Sequence, residues 1–138
     1  MGRRVVSFLL DTHVWIWTQE QPELLGETTR ALLEATPDEI CVSAVSSLEI
    51  ARLVSGGLLE MEGSIQRWVR MAIDTLDARS LDVDHSAALE AYALPGRFHK
   101  DPADRLLVAT ARLHKLTLIT ADEQILAYRH VRKRDARR

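Results

Sequence analysis

Three short runs, VVSFLL at residues 5–10, ICVS at Ile40–Ser43 and TLIT at Thr117–Thr120, are apolar, rich in β-branched residues and free of charge. Runs of this kind are buried on both faces once they pair, as strands inside a parallel sheet are. The chain between them is far too long for hairpins and carries apolar residues at helical spacing over 24–35, 44–54, 65–76, 86–94 and 103–113. RSLDV, residues 79–83, is a weaker fourth strand placed ahead of the 86–94 helix. Strands alternating with helices predict crossover connections, and so an α/β fold with a parallel sheet covered by helices on both faces. Turn signals fall where that plan needs them, at Gln21-Pro22, Thr36-Pro37-Asp38, Ser55-Gly56-Gly57 and Leu94-Pro95-Gly96.

A chain of 138 residues, 46% of them hydrophobic, is long enough for one domain with a continuous core. Cys41 is the sole cysteine, so neither a disulfide nor a cysteine-based zinc site can form within the chain, and a reducing, cytoplasmic setting is expected. No apolar run approaches the roughly 20 residues that span a bilayer, and the run after Arg3 and Arg4 is too short for a secretion signal. The net charge of −2 conceals an asymmetry: residues 129–138 hold six basic side chains against one acid, a net +5, which leaves −7 on the rest. Residues 132–138 are therefore read as a basic, solvated tail following a domain that spans residues 1–131. A basic surface on that domain requires Arg52, Arg67, Arg70, Arg97, Lys100, Arg105 and Arg112 to gather in space.

In open parallel sheets ligands bind beyond the carboxyl ends of the strands. The polar residues in that position are Asp11, Ser43, Thr120 and Asp122. Glu49 joins them by helical arithmetic. If Ser43 caps the helix of AVSSLEIARLV, Glu49 lies about a turn and a half in, with Ser46 on the same side at i−3. In HKDPADRLLVATA, Asp101 followed by Pro102 reads as an N-cap with proline at the first helical position, which puts Asp104 at the third. Each acid has a plain structural role open to it. Asp11 can begin a turn, Glu49 can face water, Asp104 can favour a helix N-terminus and Asp122 can cap TADEQI.

The other role is shared. Carboxylates from separate segments, held within a few ångströms, repel one another until some take up protons or a hard cation neutralises them. Oxygen-only donors favour Mg²⁺ or Mn²⁺ over zinc, and such ions promote in-line attack on phosphodiesters.

LLDTHVWIW, VSAVSSLEIARL and HKDPADRLLVATARLHKLTLITAD, in this order and at these separations, resemble the PIN-domain family, and most closely the VapC-type toxins of bacterial toxin–antitoxin pairs. The likeness runs from Leu9 to about Val131. It implies a three-layer α/β/α sandwich and a Mg²⁺- or Mn²⁺-dependent endoribonuclease whose catalytic and metal-binding acids match Asp11, Glu49, Asp104 and Asp122. Thr12 and Thr120 match hydroxyl positions that orient these acids, Ser43 and Ser46 match the Ser-x-x-Ser-x-x-Glu pattern that shapes the pocket, and Asp101 is given a supporting place. The resemblance also implies RNA as substrate, a VapB-type antitoxin as partner, and a homodimer. Beside it, Lys100 and Arg105 are read as phosphate contacts, which position RNA without reading its sequence.

His13, His99 and His114 are given no required role, although histidine can serve as acid, base or ligand near neutral pH. Trp15 and Trp17, two positions apart, cannot both face the core of one helix, so one of them is free for an interface. Three other functions compete with the toxin: an RNA-processing nuclease of the same fold without an antitoxin, a catalytically idle scaffold, and a phosphoacceptor receiver-like domain. The last needs a second acid beside Asp11 and a lysine after TLIT, and the chain has neither.

Overall fold

A computed structural model describes residues 6–35 and 39–138. Five strands form one sheet: β1 (Phe8–Leu10), β2 (Ile40–Ser43), β3 (Arg79–Leu81), β4 (Thr117–Thr120) and β5 (Lys133–Asp135). Their order is β3-β2-β1-β4-β5 and every pairing is parallel. Seven helices connect them among the described residues: α1 (Thr12–Glu20), α2 (Glu27–Ala35), α3 (Ala44–Ser55), α4 (Ile65–Leu76), α5 (His85–Glu90), α6 (Pro102–His114) and α7 (Glu123–Ala127).

The period of two along each strand sorts side chains into two cores. Phe8, Leu10, Ile40, Val42 and Ile119 face one layer, where they meet Val14 and Trp15 of α1, Ile50 of α3, and Trp68, Val69 and Ile73 of α4. Leu9, Cys41 and Leu118 face the opposite layer and pack on Leu107, Val108 and Ala111 of α6, with Ile125 of α7. Sheet and helices thus make the three-layer α/β/α sandwich. Trp15 and Trp68 meet edge-on with ring centroids 5.2 Å apart, an arrangement worth about 0.5–1.5 kcal/mol beyond area burial. Trp15 is completely buried, whereas Trp17 is half-buried and packs at the core's margin.

Several elements differ from the sequence expectation. The first strand is described from Phe8, and Val5 lies outside the described residues. The helix expected from residue 24 starts at Glu27, because Pro22–Leu24 forms a separate 3-10 turn. The helix expected over 86–94 stops at Glu90. The short α7 and the strand β5 were not anticipated.

The largest correction concerns residues 132–138, read as a solvated tail. Lys133–Asp135 pairs with β4 in the register Leu118↔Lys133, Ile119↔Arg134 and Thr120↔Asp135. Ala136 is fully buried, and its N–H donates to the Thr120 carbonyl at 2.8 Å. The chain end then lies over Gly26, whose N–H donates to the Ala136 carbonyl, while the N–H and hydroxyl of Thr29 both donate to the Arg138 carbonyl. A basic composition concealed this strand because it lies at a sheet edge, where charged side chains can project to solvent.

The strand order places a switch point between β1 and β4. From β1 the chain winds outward one way through β2 and β3, then returns to wind the other way through β4 and β5. The crevice beyond the carboxyl ends of β1 and β4 is where such sheets hold ligands.

Candidate metal centre

Asp11 follows β1 directly and caps α1. Its backbone N–H donates to the Ile119 carbonyl of β4 at 3.0 Å, its Oδ1 accepts from the Thr12 N–H at 2.7 Å, and its Oδ2 accepts from the Thr120 hydroxyl at 2.6 Å. The Thr120 hydroxyl also accepts from the Asp122 N–H at 3.0 Å, so one oxygen fixes two of the acids. Asp122 caps α7, its Oδ1 accepting from the N–H groups of Gln124 and Ile125.

Glu49 turns inward from α3 and is 8% exposed. Thr12 reaches across from the first position of α1 and donates its hydroxyl to Glu49 Oε1 at 2.5 Å, with Ser46 Oγ 2.8 Å from the same hydroxyl. Ser43 caps α3, accepting from the Val45 N–H at 3.1 Å. Thr12, Ser46 and Thr120 are all fully buried, so these orienting bonds are shielded from water.

Asp101 caps α6, its Oδ1 accepting from the N–H groups of Ala103 and Asp104, and Pro102 holds the first helical position. Asp104, in the first turn of α6, offers an oxygen that lies with one each from Asp11 and Glu49, all within 4.8 Å of one another. Asp11, Glu49, Asp101, Asp104 and Asp122 line one cleft of about 370 Å³, with His13, Trp17, Arg52 and Arg137 on its walls.

Gathering the acids raises their proton affinity. Burial pushes the Asp11 carboxyl up, against the bonds from Thr120 and Thr12. Burial also raises Glu49, against the Thr12 bond and reinforced by repulsion from Asp11 and Asp101. Asp104 is pushed up to about 8, first by burial and then by the negative charges of Asp11, Asp101, Asp122 and Glu49. Oxygen donors at this spacing, destabilised as anions by one another, fit a hard divalent cation.

The residues read as phosphate contacts divide. Lys100 is exposed. Arg105 is committed elsewhere, and this corrects the role it was given: its guanidinium donates to the carbonyls of His99 at 2.9 Å, Ala91 at 3.0 Å and Phe98 at 2.8 Å, and lies over the Tyr92 ring. Arg112 is likewise bonded to Glu90 and to the His130 carbonyl.

Among the side chains at or beside the site that went unassigned from sequence are His99, Trp17 and Arg137, the last read as part of the tail. His99 places Nε2 2.9 Å from Asp104 Oδ2. Its position just ahead of the Asp101 cap was the available signal. Trp17 forms part of the cleft wall, for which its place two residues from Trp15, so that both cannot face one core, was the cue.

Residues 8–131 match the family model described as PIN domain. Ribonuclease VapC22 of Mycobacterium tuberculosis is 33% identical over 128 residues, which cover 93% of this chain and 96% of that protein. Among solved structures, a DNA-bound VapBC from Salmonella typhimurium shares the fold with a TM-score of 0.69 at 18% identity, over 95% of this chain and 98% of that one. A toxin–antitoxin complex from Klebsiella pneumoniae does so with a TM-score of 0.65 at 23% identity, over 94% and 98%. With its three layers, its sheet order and these matches over most of its length, the chain belongs to the PIN-domain family, in the VapC branch.

Proposed function

We propose that this chain is a Mg²⁺- or Mn²⁺-dependent endoribonuclease that acts as the toxin of a toxin–antitoxin pair, hydrolysing RNA phosphodiesters at Asp11, Glu49, Asp104 and Asp122. The observation that carries this reading is the convergence of acids from four separate elements on one cleft, where Asp104 is raised to about 8 by burial and then by its neighbours' charges. The name of its relative from Mycobacterium tuberculosis, Ribonuclease VapC22, supports RNA as substrate.

In this account Asp11, Glu49 and Asp104 hold the ion, with Asp122 alongside. Bound there, the ion supplies Lewis acidity for in-line attack on a phosphodiester. Thr120 keeps Asp11 and Asp122 in fixed orientation, and Thr12 does the same for Glu49. Asp104 gives up its proton as the cleft takes in a cation. Lys100 holds a backbone phosphate, a contact that positions RNA but does not select its sequence. Trp17 offers a ring on which a base stacks, worth about 1–3 kcal/mol per base.

The proposed partners are a VapB-type antitoxin and a second copy of this chain. Structural neighbours that are toxin–antitoxin complexes support the first. Exposed Leu48 on α3, Met71 on α4 and Leu89 on α5 supply apolar surface for such contacts. No helix among the described residues is long and apolar enough to cross a membrane, and a cytoplasmic setting goes with an RNA target. Expression of the gene alone and together with its upstream neighbour tests the toxin role. Growth arrest relieved by the neighbour is the expected result, and growth unaffected by expression alone overturns it.

A further inference from the structure

His99 lines a neighbouring pocket, not the acidic cleft itself, and approaches Asp104 from the loop ahead of α6. Its Nε2 is sealed from solvent and makes no hydrogen bond among the described residues; its close polar neighbour is Asp104 Oδ2 at 2.9 Å, an ion pair when the ring is protonated. A buried ring nitrogen left in that state costs free energy unless another group takes it as donor or acceptor. The position is also held firmly. The His99 ring packs on Phe98 with centroids 4.5 Å apart, Phe98 packs on Tyr128, and Arg105 grips the carbonyls of both Phe98 and His99.

His99 Nε2 and one oxygen each from Asp104 and Asp122 lie within 4.8 Å of one another. This triple is distinct from Asp11, Glu49 and Asp104, with which it shares Asp104. The two differ in chemistry: one is all carboxylate, the other replaces a carboxylate with an imidazole.

We infer that His99 is a metal ligand whose Nε2, with Asp104 and Asp122, completes a second divalent-cation position beside the all-carboxylate one. This rests on the reading of the cleft as a metal centre and adds a donor and a selectivity to it. A nitrogen donor suits Mn²⁺ and later transition ions better than Mg²⁺, which prefers oxygen and gives up its water reluctantly. The second position therefore favours Mn²⁺ over Mg²⁺, while the first accepts either ion. Arg105 becomes a positioning residue, since its three bonds to backbone carbonyls hold the loop that carries His99.

Pulsed electron paramagnetic resonance on the metal-free full chain titrated with Mn²⁺ tests this without reference to activity. The expected result is a nitrogen coupling on bound Mn²⁺ that persists in His13→Gln and disappears in His99→Gln. The weaker of two Mn²⁺ affinities falls by on the order of tenfold or more in His99→Gln, with Mg²⁺ binding changed less. Bound Mn²⁺ without nitrogen coupling in the unaltered protein, or coupling that survives His99→Gln, overturns the inference and leaves the carboxylate centre standing. Failure to bind Mn²⁺ at all overturns both.

Discussion

The hydroxyl of Thr120, the last residue of β4, donates to Asp11 Oδ2 at 2.6 Å, so the two central strands that flank the switch point are joined through the candidate metal centre itself. The same oxygen accepts the Asp122 N–H. Thr120→Val keeps the shape and removes both bonds. Cleavage of RNA is expected to fall by about 10–100-fold, as when groups that orient metal ligands are lost. The melting temperature should drop by an amount corresponding to about 1–3 kcal/mol, since the Asp122 N–H loses its acceptor. Single-turnover rates and thermal denaturation check the two effects separately.

Stability of the metal-free protein should depend on pH with a definite sign. The folded Asp104 carboxyl is raised to about 8 from 3.8, and Asp11 and Glu49 are raised as well. The folded state therefore binds protons more tightly than the unfolded chain. Its stabilisation is full below about pH 4 and is lost as pH rises toward about 8. Melting temperatures measured across that window should decline with pH from this source, Asp104→Asn should flatten the decline, and saturating Mn²⁺ should offset it.

Gly26→Ala tests how firmly the C-terminal strand is built in. A Cβ at residue 26 would run into the Arg138 backbone. Overpacking of this kind costs about 1–3 kcal/mol. Amide exchange at Ala136, whose N–H is bonded to the Thr120 carbonyl, should accelerate more than exchange at Leu118.

Lys100 and Arg105 should separate cleanly. Lys100→Ala is expected to weaken RNA binding and lower the salt dependence by about one phosphate contact, with unchanged melting. Arg105→Lys cannot reproduce a fork bonded to three carbonyls and should lower stability by about 2 kcal/mol. Binding titrations at several salt concentrations, paired with melts, distinguish the two roles.

The parallel sheet was legible because its central strands carry uninterrupted apolar runs. β5 was not, because Lys133, Arg134 and Asp135 pair along one side only and an edge strand needs no apolar run. Asp11 and Asp122 could be picked out as residues following strands, and Glu49 by counting along a helix. Their convergence was carried by resemblance, since each acid also had a local use. Asp11, Asp101 and Asp122 do serve as caps, so capping and presence in the cleft are not exclusive. Arg105 was misread from charge beside two aspartates, because bonds to backbone carbonyls leave no trace in side-chain composition. His99 was passed over because its approach to Asp104 depends on a loop path, not on helical or strand period.

Cleavage of RNA by the purified chain, stripped of metal and then supplied with Mg²⁺ or Mn²⁺, tests the metal centre most directly. The expected result is no cleavage in chelator, recovery with either ion, and loss on the order of 10²-fold or more in Asp11→Asn and Asp104→Asn, both still folded. Undiminished cleavage by both variants, or full activity in chelator, would contradict the account.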